Sequence, residues 1–294
     1  MEIVIAYTSD THGEFRDEKF VKGLKTLIDE HKPVFILDGG DAVGKGKFAG
    51  LHNPELSTMV ELGYDAMAIG NNEFGETPFY MKRKVGQKFP FLLAANLRIK
   101  RIMAFLLGNR SQLAPQSKVG YESPIPFDAY EYWPAHPYVI CKKNGISLTV
   151  IGLMPNNIFK PLDNIVRFFT APFRLISPLP VIQSLQEVLP SIREKSDAII
   201  VIGHVSQEEN SQIMGSDIDF NLLLGAHKHI MKPAPENGTK RPFIQCFIDR
   251  DNTQNEDKPN VSMAIIKLQI SDDPKLLDYH AYNVLTGEDI TPHT

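Results

Sequence analysis

The chain has 294 residues, 43% of them hydrophobic and 22% charged, a balance that suits one large globular domain or two small ones. Its net charge of −4 leaves no basic excess, so no nucleic-acid partner is expected. The two cysteines, Cys141 and Cys246, lie far apart in apolar runs without CxxC spacing, which suits buried free thiols and a reducing compartment.

Met1-Glu2 leads straight into the apolar run Ile3–Thr8, which reads as a buried strand ending at Asp10 rather than as a signal peptide. Lys19–Glu30 carries Phe20, Val21, Leu24, Leu27 and Ile28 at helical spacing, and Pro33 ends it. Val34–Leu37 is a second strand, running into Asp38-Gly39-Gly40-Asp41. After a Gly- and Lys-rich loop, Asn53-Pro54-Glu55 has the form of a helix start: a capping side chain, a proline at the first helical position and an acidic first turn. That helix is predicted to run to Leu62, with Gly63 as its stop. Ala66–Ile69 and Phe89–Asn96 are the third and fourth strands.

Residues 98–135 are polar and aromatic-spotted, and read as an insertion or lid. Tyr138–Cys141 and Ser147–Leu153 form a hairpin around Asn144-Gly145. The apolar stretch from Ile165 to Ile182 is broken by Arg167, Pro172, Arg174, Pro178 and Pro180, so it is not a spanning helix and no membrane partner is expected. Val181–Glu194 is helical, kinked or ended by Pro190. Ala198–Ile202 is a buried strand ending at Gly203-His204, and Leu222–Leu224 ends at Gly225-Ala226-His227. Phe243–Ile248 and Val261–Ile270 read as late strands of a second sheet. The alternation of strands and helices predicts an α/β fold with helices on the sheet faces, in a cytoplasmic protein.

Five strand-like runs end in residues able to bind a metal: Asp10 and His12; Asp41; Asn71; His204; His227 and His229. In open α/β sheets ligands gather outside the carboxyl ends of the strands, which groups Asp10, Asp41 and Asn71. Asp10 and His12 are two apart, as are His227 and His229, so in extended chain each pair addresses one region. Oxygen and imidazole donors without thiolates suit Mn²⁺, Fe or Zn²⁺. Seven donors exceed one four-ligand site and fit two divalent ions sharing a carboxylate. Two such ions clamp a phosphate and lower the pKa of a bridging water, whose hydroxide attacks phosphorus. There is no G-x-S-x-G elbow and no Walker A motif to suggest a protein nucleophile or a P-loop.

The set Asp10-x-His12, Gly40-Asp41, Gly70-Asn71-x-Glu73, Gly203-His204 and Gly225-x-His227-x-His229 resembles the calcineurin-like metallophosphoesterases. Thr8–Gly13, Gly63–Asn71 and Ile151–Leu153 resemble more closely the catalytic domain of the 5′-nucleotidase / 2′,3′-cyclic phosphodiesterase branch. The likeness runs from Met1 to about His229 and implies a four-layer α/β/β/α sandwich, expected as a single domain over residues 1–294, and a small, nucleotide-like phosphomonoester or phosphodiester as substrate. It implies Asp10, His12, Asp41 and His229 on one ion, and Asp41, Asn71, His204 and His227 on the other. The residues after His229 read as sandwich strands, without the C-terminal nucleoside-binding domain of that branch.

Asn72 stands where the family has a histidine, which there pairs with the first-motif Asp beside the leaving group. Asn72 is the candidate catalytic residue of this chain, but a carboxamide has no proton to give at neutral pH. Three readings follow: a slow hydrolase, a hydrolase using another acid such as His52, His136 or a metal-bound water, or a metal-binding pseudoenzyme that holds phosphate or nucleotide.

Overall fold

The computed structural model describes residues 1–44, 54–76, 91–100, 130–131, 136–155, 176–227, 242–245, 248–249, 260–271 and 274–291. In chain order, β1 (Glu2–Thr8) leads to α1 (Glu18–His31) and β2 (Phe35–Asp38). Asp17 caps α1, its side chain accepting from the amides of Lys19 and Phe20, and Lys32 closes the helix in the left-handed conformation at φ 48°. Then come α2 (Pro54–Glu61), β3 (Ala66–Ala68), α3 (Asn71–Glu76), β4 (Phe91–Leu93) and β5 (Leu97–Lys100). Next are β6 (Tyr130–Glu131), β7 (Tyr138–Lys143), β8 (Ile146–Leu153), β9 (Ile176–Pro178) and α4 (Val181–Val188). The chain continues through β10 (Ala198–Gly203), α5 (Gln207–Met214), β11 (Leu222–Gly225), β12 (Phe243–Gln245) and β13 (Ile248–Asp249). It finishes with β14 (Asn260–Gln269) and β15 (Lys275–Asn283).

Two sheets carry the fold. The first runs β13-β14-β1-β2-β3-β4, with β15 on the outer side of β14; the second runs β12-β11-β10-β8-β7. In the first, β1 through β4 are parallel and β14 is antiparallel to β1. In the second, β8, β10, β11 and β12 are parallel and β7 is antiparallel to β8.

Side-chain alternation makes the layers. From β1, Ile3, Ile5 and Tyr7 point between the sheets, where they meet Val139, Val150, Ile200, Ile202, Leu222 and Leu224 of the second sheet. Ala6 of the same strand points the other way, into a cluster with Phe20, Leu24 and Leu27 of α1 and Leu56 and Met59 of α2. On the far face, Ile151, Ile199, Val201 and Leu223 pack under Val181, Leu185 and Val188 of α4 and Ile213 of α5. Three cores between four layers give the α/β/β/α sandwich. Each fully buried large apolar side chain contributes about 1.5–3 kcal/mol relative to exposure, so both sheets are locked in register from both faces.

Val261–Ile270 does not belong to the second sheet, as its pattern suggested. It forms β14, paired with β1 through Gln269 opposite Glu2 and Ala264 opposite Tyr7. Both sheets bury both faces, so an apolar run fits either one and only the pairing partner decides. The 181–194 helix ends at Val188 and gives way to 3-10 turns around Pro190. Of the 98–135 segment only its two ends are described, β5 and β6, which pair antiparallel. Lys45, Lys47, His52, Cys246 and His229 lie outside the described residues. Among those described, no helix is long and apolar enough to cross a membrane.

At the rim where the site lies, the two sheets touch closely. The Tyr7 hydroxyl of β1 donates to the carbonyl of Gly225 at the end of β11, 2.9 Å away. A Cβ on Gly39 would press into the Tyr7 hydroxyl and stand 2.6 Å from Ser9 Cβ and 2.8 Å from Ala226 Cβ. Gly39→Ala is therefore expected to wedge the sheets apart and lower stability by about 1–3 kcal/mol, seen as a lower urea midpoint at unchanged slope.

Candidate metal centre

Asp10, His12, Asp41, Asn71, His204 and His227 all follow directly from the carboxyl ends of strands: β1, β2 and β3 of the first sheet, β10 and β11 of the second. Because the two sheets pack face to face with these ends at one rim, residues from opposite ends of the sequence meet. One ligand-capable atom from each of Asp10, His12 and Asp41 lies within 4.8 Å of the other two. His204 Nε2 stands 3.6 Å from Asp41 Oδ1 and 3.3 Å from Asn71 Oδ1. Asn71 Nδ2 donates to Asp41 Oδ2 at 3.0 Å. The backbone N–H of His227 reaches both oxygens of Asp10 at 3.1 Å, and the His204 and His227 rings lie 5.1 Å apart. His229 is outside the described residues.

The backbone carries a further mark. Among the described residues, the non-glycine positions with positive φ are Asp10 (52°), His12 (49°), Lys32, Asp41 (55°), Asn144 and His227 (74°). Lys32 ends a helix and Asn144 makes the hairpin turn; the other four are expected ligands. Such conformations cost about 1–3 kcal/mol each and persist where surrounding structure over-determines them, most often at functional sites. Here the loops after β1 and β2 are stitched together by amide-to-carbonyl bonds from Asp10 to Gly40 (2.9 Å), His12 to Asp41 (2.8 Å) and Gly13 to Ala42 (2.8 Å). Gly40 turns at φ 94°, and a Cβ there would stand 2.7 Å from Ala68 O.

Two buried carboxylates hold these loops, and sequence reasoning gave neither a role. Glu73 accepts the backbone N–H of Asp41 (2.8 Å), Val43 (2.9 Å) and Gly70 (2.9 Å), joining the loop after β2 to the corner after β3. Asp38 accepts from Thr8 Oγ1 at 2.7 Å and from the Gly40 amide at 2.8 Å. The Asp38-x-Gly40 bond is an Asx turn, a signal legible in Asp-Gly-Gly. Glu73 lies inside the Gly70-Asn71-x-Glu73 motif beside one partner, Gly70, but its other two, Asp41 and Val43, are 32 and 30 residues away in sequence.

Burial drives the electrostatics. It pushes Asp38 well up, against the bonds from Thr8 and Gly40. It pushes Glu73 up to about 7, with Asp41 adding to the rise. Burial pulls His204 down, but the carboxylates of Asp41, Asp10 and Glu73 outweigh it and raise its pKa. Burial alone lowers that of His136, which sits beside β4, its amide donating to Leu92 O.

Asn72 is buried at the start of α3. Its backbone N–H donates to Asp41 Oδ1 at 2.8 Å. Its Nδ2 lies 2.9 Å from Val43 O and 2.8 Å from His12 Nδ1.

This arrangement of strand-end acids and histidines agrees with a family model. A model of calcineurin-like phosphoesterases matches residues 3–231. The chain belongs to that family. Within it, the chain is 30% identical over 283 residues to a 5′-nucleotidase of Vibrio vulnificus (strain CMCP6), covering 85% of this chain and 45% of that protein. It is 30% identical over 229 residues to protein UshA of Escherichia coli (strain K12), covering 72% of this chain and 35% of that one. This calcineurin-like phosphoesterase thus spans less than half the length of these curated relatives. The crystal structure of calcineurin-like phosphoesterase YfkN from Bacillus subtilis shares the fold, with a TM-score of 0.65 at 14% identity over 97% of this chain and 91% of that one.

Glu73→Ala is expected to leave three buried N–H groups without an acceptor and to cost at least about 1–3 kcal/mol, read by chemical denaturation. The folded-state pKa of Glu73 near 7 lies above its ordinary 4.5. Its protonation therefore stabilises the fold fully below about 4.5, and that contribution is lost as pH rises through about 7. In chelator-treated protein, wild-type stability relative to Glu73→Gln should fall across that interval, as followed by urea titrations at several pH values.

Proposed function

We propose that the chain is a metal-dependent phosphoric ester hydrolase acting on a small phosphomonoester or phosphodiester of nucleotide type. The observation that carries this reading is the convergence of Asp10, His12 and Asp41, with ligand-capable atoms within 4.8 Å of one another, at strand ends also occupied by Asn71, His204 and His227. The donor set is all oxygen and imidazole, which fits Mn²⁺, Fe or Zn²⁺. In this reading Asp10, His12, Asp41 and His229 hold one ion, and Asp41, Asn71, His204 and His227 the other. When bound, the ions supply charge for the phosphate oxygens and acidify an attacking water. The family supports the reaction type, and the likeness to 5′-nucleotidases supports the nucleotide character of the substrate.

The chain's own residues then have distinct tasks. Asp41 stands between the two groups, touching Asn71 through one oxygen and facing His204 with the other. His204 is oriented by Gly39, whose carbonyl lies 2.8 Å from Nδ1 and accepts its N–H, leaving Nε2 toward Asn71 and Asp41. Glu73 and Asp38 hold the loops that aim these groups.

One observation favours a second reading, a metal-binding protein that holds phosphate without turning it over. Asn72 has no titratable proton, and both hydrogens of its Nδ2 are engaged, by Val43 O and by His12 Nδ1. Assays with p-nitrophenyl phosphate and bis-p-nitrophenyl phosphate plus Mn²⁺ separate the two. The hydrolase reading expects turnover that is lost with chelator and in Asp41→Asn; no turnover with two ions bound would establish the second. If the missing acid limits the rate, Asn72→His is expected to raise turnover of substrates with poor leaving groups by about 10²–10⁴-fold.

A further inference from the structure

We propose that Asn72 holds His12 in the tautomer that cannot ligate through Nε2, so that the ion site built on Asp10 and His12 loads weakly and second. The inference rests on the two-ion reading above. It starts from one atom, Asn72 Nδ2, placed 2.9 Å from Val43 O and 2.8 Å from His12 Nδ1. Val43 decides which end of the carboxamide is nitrogen, because a reversed amide would set two carbonyl oxygens against each other. An amide nitrogen carries two hydrogens and accepts nothing, so it donates to both neighbours. His12 Nδ1 therefore accepts, and in the neutral ring the proton sits on Nε2. Nδ1 has its lone pair turned to Asn72, and Nε2 has none to offer.

His204 shows the opposite polarity in the same site. Its Nδ1 donates to the Gly39 carbonyl, and Nε2 faces Asn71 and Asp41. That is the usual arrangement of a metal-ligating histidine, whose second nitrogen donates to a carbonyl or carboxylate. For His12 to match it, the proton must move to Nδ1 and the Asn72 carboxamide must turn its oxygen toward it. That turn gives up the bond to Val43 O. Asn72 is 5% exposed and its own amide is fixed on Asp41 Oδ1, so no solvent stands ready to replace the lost partner. Outer partners of this kind change metal affinity by about 10–100-fold. Asn72 is accordingly a positioning residue for His12, and the Asn71–His204–His227 side should fill first.

The test reads the tautomer and the affinity directly. In metal-free, ¹⁵N-histidine-labelled protein, at a pH where the ring is neutral, long-range ¹H–¹⁵N correlation should show His12 protonated on Nε2, its signal assigned by its loss in His12→Gln. Asn72→Asp, whose carboxylate only accepts, should move the proton to Nδ1. Calorimetric titration with Mn²⁺ should show one tight and one weak site in the wild type. The weak site should tighten about 10–100-fold in Asn72→Asp, and in the same direction in the uncharged Asn72→Ala. A wild-type His12 protonated on Nδ1, two equally tight wild-type sites, or tightening in Asn72→Asp but not in Asn72→Ala would each overturn the inference and leave the two-ion reading standing. No binding by wild type or variants would overturn the two-ion reading and this inference with it.

Discussion

The centre depends on a carboxylate that faces no solvent. Glu73 gathers the amides of Asp41, Val43 and Gly70, and so fixes the loop after β2 against the corner after β3. A buried carboxylate is stabilised only as far as hydrogen bonds and opposite charges replace its lost water. Three N–H groups do this for Glu73, and in doing so they hold Asp41 in the left-handed conformation that turns its side chain toward the rim. Asp38 does the same one turn earlier through Gly40. The loops after β1 and β2 are then paired amide to carbonyl, which gives Asp10 and His12 their strained but determinate backbone.

These groups concentrate acid at one point. Asp10, Asp38, Asp41 and Glu73 are all buried, and the charges of Glu73 and Asp10 oppose ionisation of Asp38 as that of Asp41 opposes ionisation of Glu73. Burial is the main cause of the raised pKa values of Asp38 and Glu73, with neighbouring carboxylates adding to it, and attraction to Asp41, Asp10 and Glu73 raises that of His204 against its own burial. Fixed N–H dipoles and imidazoles offset part of the repulsion. A centre with this imbalance favours cations. The family's divalent ions therefore fit an electrostatic need that the chain's own residues create.

The strands were legible because both faces of both sheets are buried, so most of them read as near-continuous apolar runs broken abruptly by Gly, Asp or His. Several elements escaped, among them α3, β5, β6, β9, α5 and β15. Helix α5 is largely polar and its apolar stripe is short, although the capping box from Ser206 to Glu209 marked its start. Strand β15 alternates weakly because it lies at the outer side of β14, with Leu277 and Asp278 exposed. Strand β14 was found but placed in the wrong sheet, since a run of Met263, Ala264, Ile265 and Ile266 says only that both faces are covered.

The sequence by itself determined the chemistry's raw material: which residues end strands, that oxygen and imidazole donors dominate, and that position 72 carries an asparagine. These are local properties, carried by residue type and spacing. Only the tertiary structure decided how they meet. It brought His204 to Asp41 and the His227 amide to Asp10, gave Glu73 and Asp38 their partners, and turned Asn72 onto His12 and Val43. The reason is geometric: hydrogen-bond polarity depends on which atoms face each other across two packed sheets, and residues 12 and 72 share no local pattern that could announce it.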